Sequence, residues 1–252
     1  QLAAAGVPFY VCPGTSSWCS LAGRTDNALA NLLSAAENGL KHGACGYLNT
    51  DWGDRGHWQM LPVSYLGLAM GAAYSWCLAS NRDADVPAVV SRFAFDDPSG
   101  AMGRVAYDMG NLYQKPGLPI VNGSSLFWAL QWLESPFSLY SQNLSPEAIH
   151  ATLDAIEAAI APLEHTAMQR GDAELLAREY RFTARLLRHA CYRILMAQQT
   201  DPVQQAAAKA ALAAELETLI EEYRGLWLAR NRPGGLKDSV ARFEELLASY
   251  RA

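Results

Sequence analysis

Hydrophobic and polar positions divide the chain into two unlike regions. Residues 7–12 (VPFYVC) and 44–49 (ACGYLN) are short apolar runs, each followed by Pro, Gly or polar residues. Continuous apolar runs of this length suit strands buried on both faces, as in a parallel sheet. Between them Leu29, Leu32, Leu33 and Ala36 recur at helical spacing, with Thr25 or Asp26 placed to cap the helix and Gly39 or Gly43 to end it. The pattern predicts a strand–loop–helix–strand unit with a right-handed crossover.

From residue 62 onward helical periods dominate. Residues 62–78 read as an apolar, Gly-containing helix packed on most sides, and residues 81–87 as a polar break. Residues 86–95 and 101–113 form short helices around the Asp97-Pro98-Ser99-Gly100 turn; 114–125 is loop, and 126–133 a short aromatic helix. Three longer helices follow. Ser145-Pro146 opens one reaching about residue 170, Asp172 caps a second to about residue 199, and Asp201-Pro202 opens an Ala-rich third to about residue 230. Past the Arg232-Pro233-Gly234-Gly235 break, residues 236–250 form a last helix. Long helices joined by short turns suit a bundle.

Two strands do not make a stable parallel sheet by themselves. The chain also begins Gln1-Leu2-Ala3, without an initiator methionine. The expectation is therefore a C-terminal part of a longer protein. Its fold class is α/β plus α, predominantly helical overall. Residues 1–80 supply the last two β/α units of a sheet completed upstream, and residues 81–252 a helical region.

Composition narrows the function. Half of the 252 residues are hydrophobic, enough for a sizeable core. Lys+Arg 20 against Asp+Glu 25 leaves a net charge of −5, which argues against nucleic acid or an anionic membrane as partner. No apolar run approaches the roughly 20 residues of a membrane span. Five cysteines, an odd number with no CxxC pair, read as buried reduced thiols. That favours a reducing compartment, so a cytoplasmic location is expected.

Candidate chemistry sits in the two loops that follow the predicted strands, where parallel α/β folds place their functional groups. The first carries Pro13-Gly14-Thr15-Ser16-Ser17-Trp18 and then Gly23-Arg24-Thr25-Asp26-Asn27. The second, residues 49–58 (NTDWGDRGHW), is the richest stretch of the chain. Trp52 offers a flat apolar face on which the C–H side of a sugar ring can stack. Asp51 and Asp54 can accept hydrogen bonds from vicinal hydroxyls, and His57 can donate or accept. Asp51, Asp54 and His57 match no strong metal-ligand spacing, and no cofactor is expected. Asp51 and Asp54 are also a conceivable acid/base pair. Ser16, Ser17 and Cys19 lack the nucleophile-elbow pattern.

These same residues carry a resemblance. YVCPGTSSWCSLAGRTDN, followed by GACGYLNTDWGDRGH, resembles the last two strands of certain bacterial members of glycoside hydrolase family 20. That family comprises β-N-acetylhexosaminidases built on a (β/α)8 TIM barrel. The resemblance covers residues 7–80, with a helical C-terminal region seen in some members. It implies that Trp52-Gly53-Asp54 corresponds to the Trp-x-acid motif of the final barrel strand. There the tryptophan walls the pocket and the carboxylate holds hydroxyls of the terminal sugar. Trp18 would contact the sugar after the penultimate strand, although Ser-Ser-Trp departs from the commoner Tyr-containing motif. Asp51, His57 and Arg24 complete the expected substrate-binding set.

The family's Asp-Glu pair, which orients the substrate's acetamido group and protonates the leaving oxygen, has no counterpart on a strand-like run here. The resemblance thus implies a chain that binds a saccharide substrate, contributes no catalytic residue and is inactive alone. Its expected partners are the N-terminal remainder of the barrel and, through the helical region, a second copy as a homodimer. The alternatives are a helical interaction module and a non-catalytic carbohydrate-binding protein.

Overall fold

The computed structural model describes residues 1–133, 137 and 140–252. Strand β1 (Tyr10–Val11) pairs in parallel with β2 (Gly46–Tyr47), Tyr10 opposite Gly46 and Val11 opposite Tyr47. Pairing continues past the strands. The Leu48 N–H donates to the Val11 carbonyl, Thr50 N–H to Pro13 and Thr15 N–H to Thr50, each at 2.9 Å. Helix α1 (Thr25–His42) connects the strands and ends on Gly43 at φ 70°, as the spacing predicted.

Its start differs. Neither Thr25 nor Asp26 caps it; the Asp26 N–H donates instead to Asn111 Oδ1 at 3.1 Å. The Asp26 carboxylate is spoken for, accepting from Tyr113 Oη and Gln114 Nε2.

The strands are not buried on both faces. Val7, Tyr10 and Leu48 are 46%, 61% and 54% exposed, because α1 covers one side of the pair while the other meets solvent. The apolar runs predicted two-sided burial, and the described residues provide only one side of it.

After a 3-10 turn, Leu61–Ser64, come α2 (Tyr65–Trp76) and α3 (Leu78–Asn81). Helix α2 is less enclosed than its composition predicted, with Leu68 and Trp76 exposed. Helix α4 (Val86–Val90) runs into a π turn, Ser91–Phe95, and α5 (Ala101–Asn111) follows the Asp97 turn. Helix α6 (Ser125–Gln131) is the aromatic one.

The long helices are α7 (Pro146–Ile160), α8 (Ala173–Gln198), α9 (Pro202–Arg230) and α10 (Leu236–Arg251). Ser145 and Asp201 cap α7 and α9 as their sequences predict. Helix α7 stops short of residue 170 and gives way to a 3-10 turn, Ala161–His165, around Pro162. Proline lacks the N–H that an α-helix interior needs. Asp172 makes no cap. Its carboxylate accepts instead from Arg170 Nε and Arg230 Nη1, both at 2.8 Å.

Among the described residues helix accounts for 68% and strand for 2%. Buried apolar residues form one cluster running from Cys19 to Tyr250. Trp58 stacks on Phe243 with ring centroids 3.8 Å apart and donates its indole N–H to the Ser239 carbonyl of α10. Tyr180 of α8 donates to the Pro62 carbonyl. The loop after β2 is therefore packed into the helical region. The cysteine expectation holds only in part. Cys19 and Cys191 are buried, whereas Cys12 and Cys45 are exposed and Cys77 lies between; all are free thiols. Among the described residues no helix is long and apolar enough to cross a membrane.

Candidate functional site

The parallel register brings the two loops together at the C-terminal end of the strands. Gly14 and Thr50 face each other in a parallel bridge beyond the strands. Thr50 Oγ1 donates to the Pro13 carbonyl and accepts the indole N–H of Trp52 at 3.1 Å. A Cβ on Gly14 would lie 2.7 Å from Trp18 Cζ3 and 3.0 Å from Thr50 Oγ1. Both tryptophans are thus seated around the Gly14–Thr50 bridge, and glycine is needed there for the ring to approach.

Trp52 is 56% exposed, and its carbonyl accepts from Gln59 Nε2 at 2.7 Å. Its position is fixed at the N–H and the backbone, which leaves ring surface open to a ligand. Asp54 is exposed at the start of a 3-10 turn, Asp54–Gly56. Burial first, and then the nearby Asp54 carboxylate, push the Cys19 thiol above its ordinary range. Arg55 and His57 adopt left-handed φ of 55° and 52°, with Gly56 at 94° between them. This coil turns the Arg55 guanidinium over the Trp128 ring, 4.8 Å from its centroid.

Asp51 is the best-anchored group of the site. Its Oδ1 accepts from Thr15 Oγ1 (2.5 Å), Ser17 Oγ (2.6 Å) and Ser64 Oγ (3.0 Å). All three hydroxyl residues are buried, whereas Asp51 is exposed as a whole. One carboxylate oxygen thus satisfies three buried donors and ties the loop after β1 to the turn before α2.

Arg24 is 4% exposed. Its Nε donates to the Ser16 carbonyl at 3.2 Å, and its guanidinium lies 5.3 Å from the Trp18 ring centroid. Burial pulls its pKa below the ordinary arginine value. Trp18, half-buried, donates its indole N–H to Asn122 Oδ1 at 2.9 Å.

His57 goes elsewhere. Its ring packs edge-on against Trp227 of α9, 6.1 Å between centroids, and its carbonyl accepts from Tyr223 Oη at 3.0 Å. Nδ1 is buried without a partner, and burial lowers the pKa against the opposing pull of Asp51. The imidazole wedges the loop against the helical region.

Of the six residues singled out from sequence, Trp18, Trp52, Asp51, Asp54 and Arg24 cluster around the paired loops, and His57 turns inward. Sequence reasoning missed Thr15, Ser17 and Ser64 as the cradle of Asp51, because small hydroxyl residues in loops carry no distinguishing pattern. It also missed Asn122. The Asn122-Gly123 dipeptide was the available signal, since Asn tolerates left-handed turns; Asn122 has φ 56°. Among the described residues no group of three His, Cys, Asp or Glu converges to hold a metal ion.

An apolar cavity of about 420 Å³ lies at the opposite end of the strands, lined by Val11, Gly39, Tyr47 and Tyr74 among others. Polar and aromatic groups converge at the loops instead.

No family model and no curated protein matches the chain. The loop geometry carries the functional reading.

Proposed function

We propose that this chain supplies the sugar-binding wall of a glycoside hydrolase acting on terminal N-acetylhexosamine residues. The observation that carries the reading is the open Trp52 face held beside anchored Asp51 and exposed Asp54. A sugar ring presents C–H bonds on one face and hydroxyls at its edge. An indole face meets the first and carboxylates the second. The resemblance of Trp52-Gly53-Asp54 to the family 20 motif supports the same assignment. In this reading β1 and β2 are closing strands of a (β/α)8 barrel, and the exposed Val7, Tyr10 and Leu48 are the residues that further strands would cover.

The acid and the acetamido-orienting group belong to the remainder of that barrel. This chain's own contribution is to bind and orient. Trp52 takes the sugar face, Asp54 accepts from peripheral hydroxyls, and Asp51 keeps the two loops in register.

Titration calorimetry of the chain with chitobiose tests the reading. Trp52→Ala is expected to weaken binding about tenfold by removing the stacking face. Unchanged affinity in that variant, or no binding by the unsubstituted chain, rejects it.

A further inference from the structure

The loop between α5 and α6 reads from sequence as a plain connection, yet it reaches the mouth of the site. The Ser124 N–H donates to the Cys19 carbonyl at 2.9 Å. Gly123 lies beside the same carbonyl and beside Trp128 Nε1, where a Cβ would not fit. Immediately before these anchors Asn122 holds a left-handed backbone and aims its side-chain oxygen at two donors. They are the Trp18 indole N–H at 2.9 Å and Arg24 Nη2 at 3.4 Å. Trp18 and Arg24 are in turn stacked on each other.

We propose that Asn122 is a positioning residue of the saccharide site: its one oxygen joins Trp18 and Arg24 into a stacked unit and so sets the plane that Trp18 presents. The inference rests on the saccharide reading above and extends it to a wall donated by the helical region. Three features of the geometry support it. Trp18 has a single polar atom, and Asn122 takes it, so the indole cannot rotate without losing a hydrogen bond. One face of Trp18 is covered by Arg24, and its edge rests against Gly14. The acceptor is a neutral amide, and among the described residues no carboxylate forms an ion pair with Arg24. The buried guanidinium donates to the Ser16 carbonyl and to Asn122 and lies over the Trp18 ring. Removing Asn122 would take the acceptor from the Trp18 indole N–H and leave Arg24 held by the Ser16 carbonyl.

The test compares Asn122→Leu, which lacks the acceptor, with Asn122→Asp, which keeps it. Asn122→Leu is expected to weaken chitobiose binding about tenfold, with Asn122→Asp within about threefold of the parent. Adding Asn122→Leu to Trp18→Ala should cost nothing further, because the two act through one contact. The Trp18 indole N–H resonance, assigned with Trp18→Phe, should lie downfield in the parent and in Asn122→Asp and move upfield in Asn122→Leu, where the acceptor is lost.

An unchanged indole signal in Asn122→Leu overturns the proposal whether or not any sugar binds. So does additivity with Trp18→Ala, or an Asn122→Asp variant as weak as Asn122→Leu. An altered signal in a chain whose parent binds no chitobiose instead overturns the saccharide reading, and with it the role of this wall.

Discussion

Single residues at the strand ends decide how the aromatic surfaces stand. Gly14 is the clearest case, since any side chain would enter the space held by the Trp18 ring and the Thr50 hydroxyl. Gly14→Ala is expected to displace Trp18 and to lower stability by about 1–3 kcal/mol through overpacking. Chitobiose affinity should fall with it. Denaturant melts and calorimetry on the same variant check both; an unaltered affinity would mean that Trp18 does not bear on the ligand. At this scale the sequence was informative about residue type and silent about direction. Trp52 and Asp54 stand in the open as their loop suggested, whereas His57, three residues past Asp54, points into the helices. Consecutive left-handed residues between Asp54 and Trp58 reverse the chain there. Only Gly56 among them has a composition that announces such a turn.

Helices α8 and α9 are joined by an ionic staple that their separate patterns do not reveal. Glu179, 1% exposed, accepts from Arg230 Nε and Nη2 at 2.8 and 2.6 Å, and Arg230 also reaches Asp172. Arg170 and Arg230 hold the Asp172 carboxyl down to about 2, while burial raises that of Glu179. Arg230→Ala leaves a buried carboxylate without a cation and is expected to cost about 3 kcal/mol. Replacing Glu179 and Arg230 together by apolar residues of similar size should cost much less. Chemical denaturation of the single and paired variants distinguishes the two. A paired loss equal to the sum of the Glu179 and Arg230 single losses would show that the pair is not coupled. Helix extents were legible from period, Pro and Gly, as α8, α9 and α10 show. The long-range partners of Asp172 and Asp26 were not, because they lie far away along the chain: Arg230 for one, Tyr113 for the other.

Across the whole molecule, the loop after β2 and the last helix share one core. Trp58 is 1% exposed, stacked on Phe243 and hydrogen-bonded to Ser239. Trp58→Ala is expected to remove about 4 kcal/mol, the range for emptying a buried aromatic site. Unfolding should stay a single transition by far-ultraviolet circular dichroism and by tryptophan fluorescence. Two transitions, only one of them shifted, would show that the strand-bearing and helical parts unfold independently.

By itself the sequence determined the order and type of nearly every element, the parallel pairing of β1 with β2, and the loop that carries Trp52 and Asp54. These follow from local period, capping and turn chemistry, which a short window of residues contains. Tertiary structure alone decided that Asn111 caps α1, that three hydroxyls cradle Asp51, that His57 faces Trp227, and that Asn122 reaches Trp18. Each is a contact between residues that are apart in sequence, or a direction imposed by packing. Local pattern specifies which segment becomes a helix, strand or turn; which donors and acceptors meet is settled only when those segments pack and most buried polar groups find a partner.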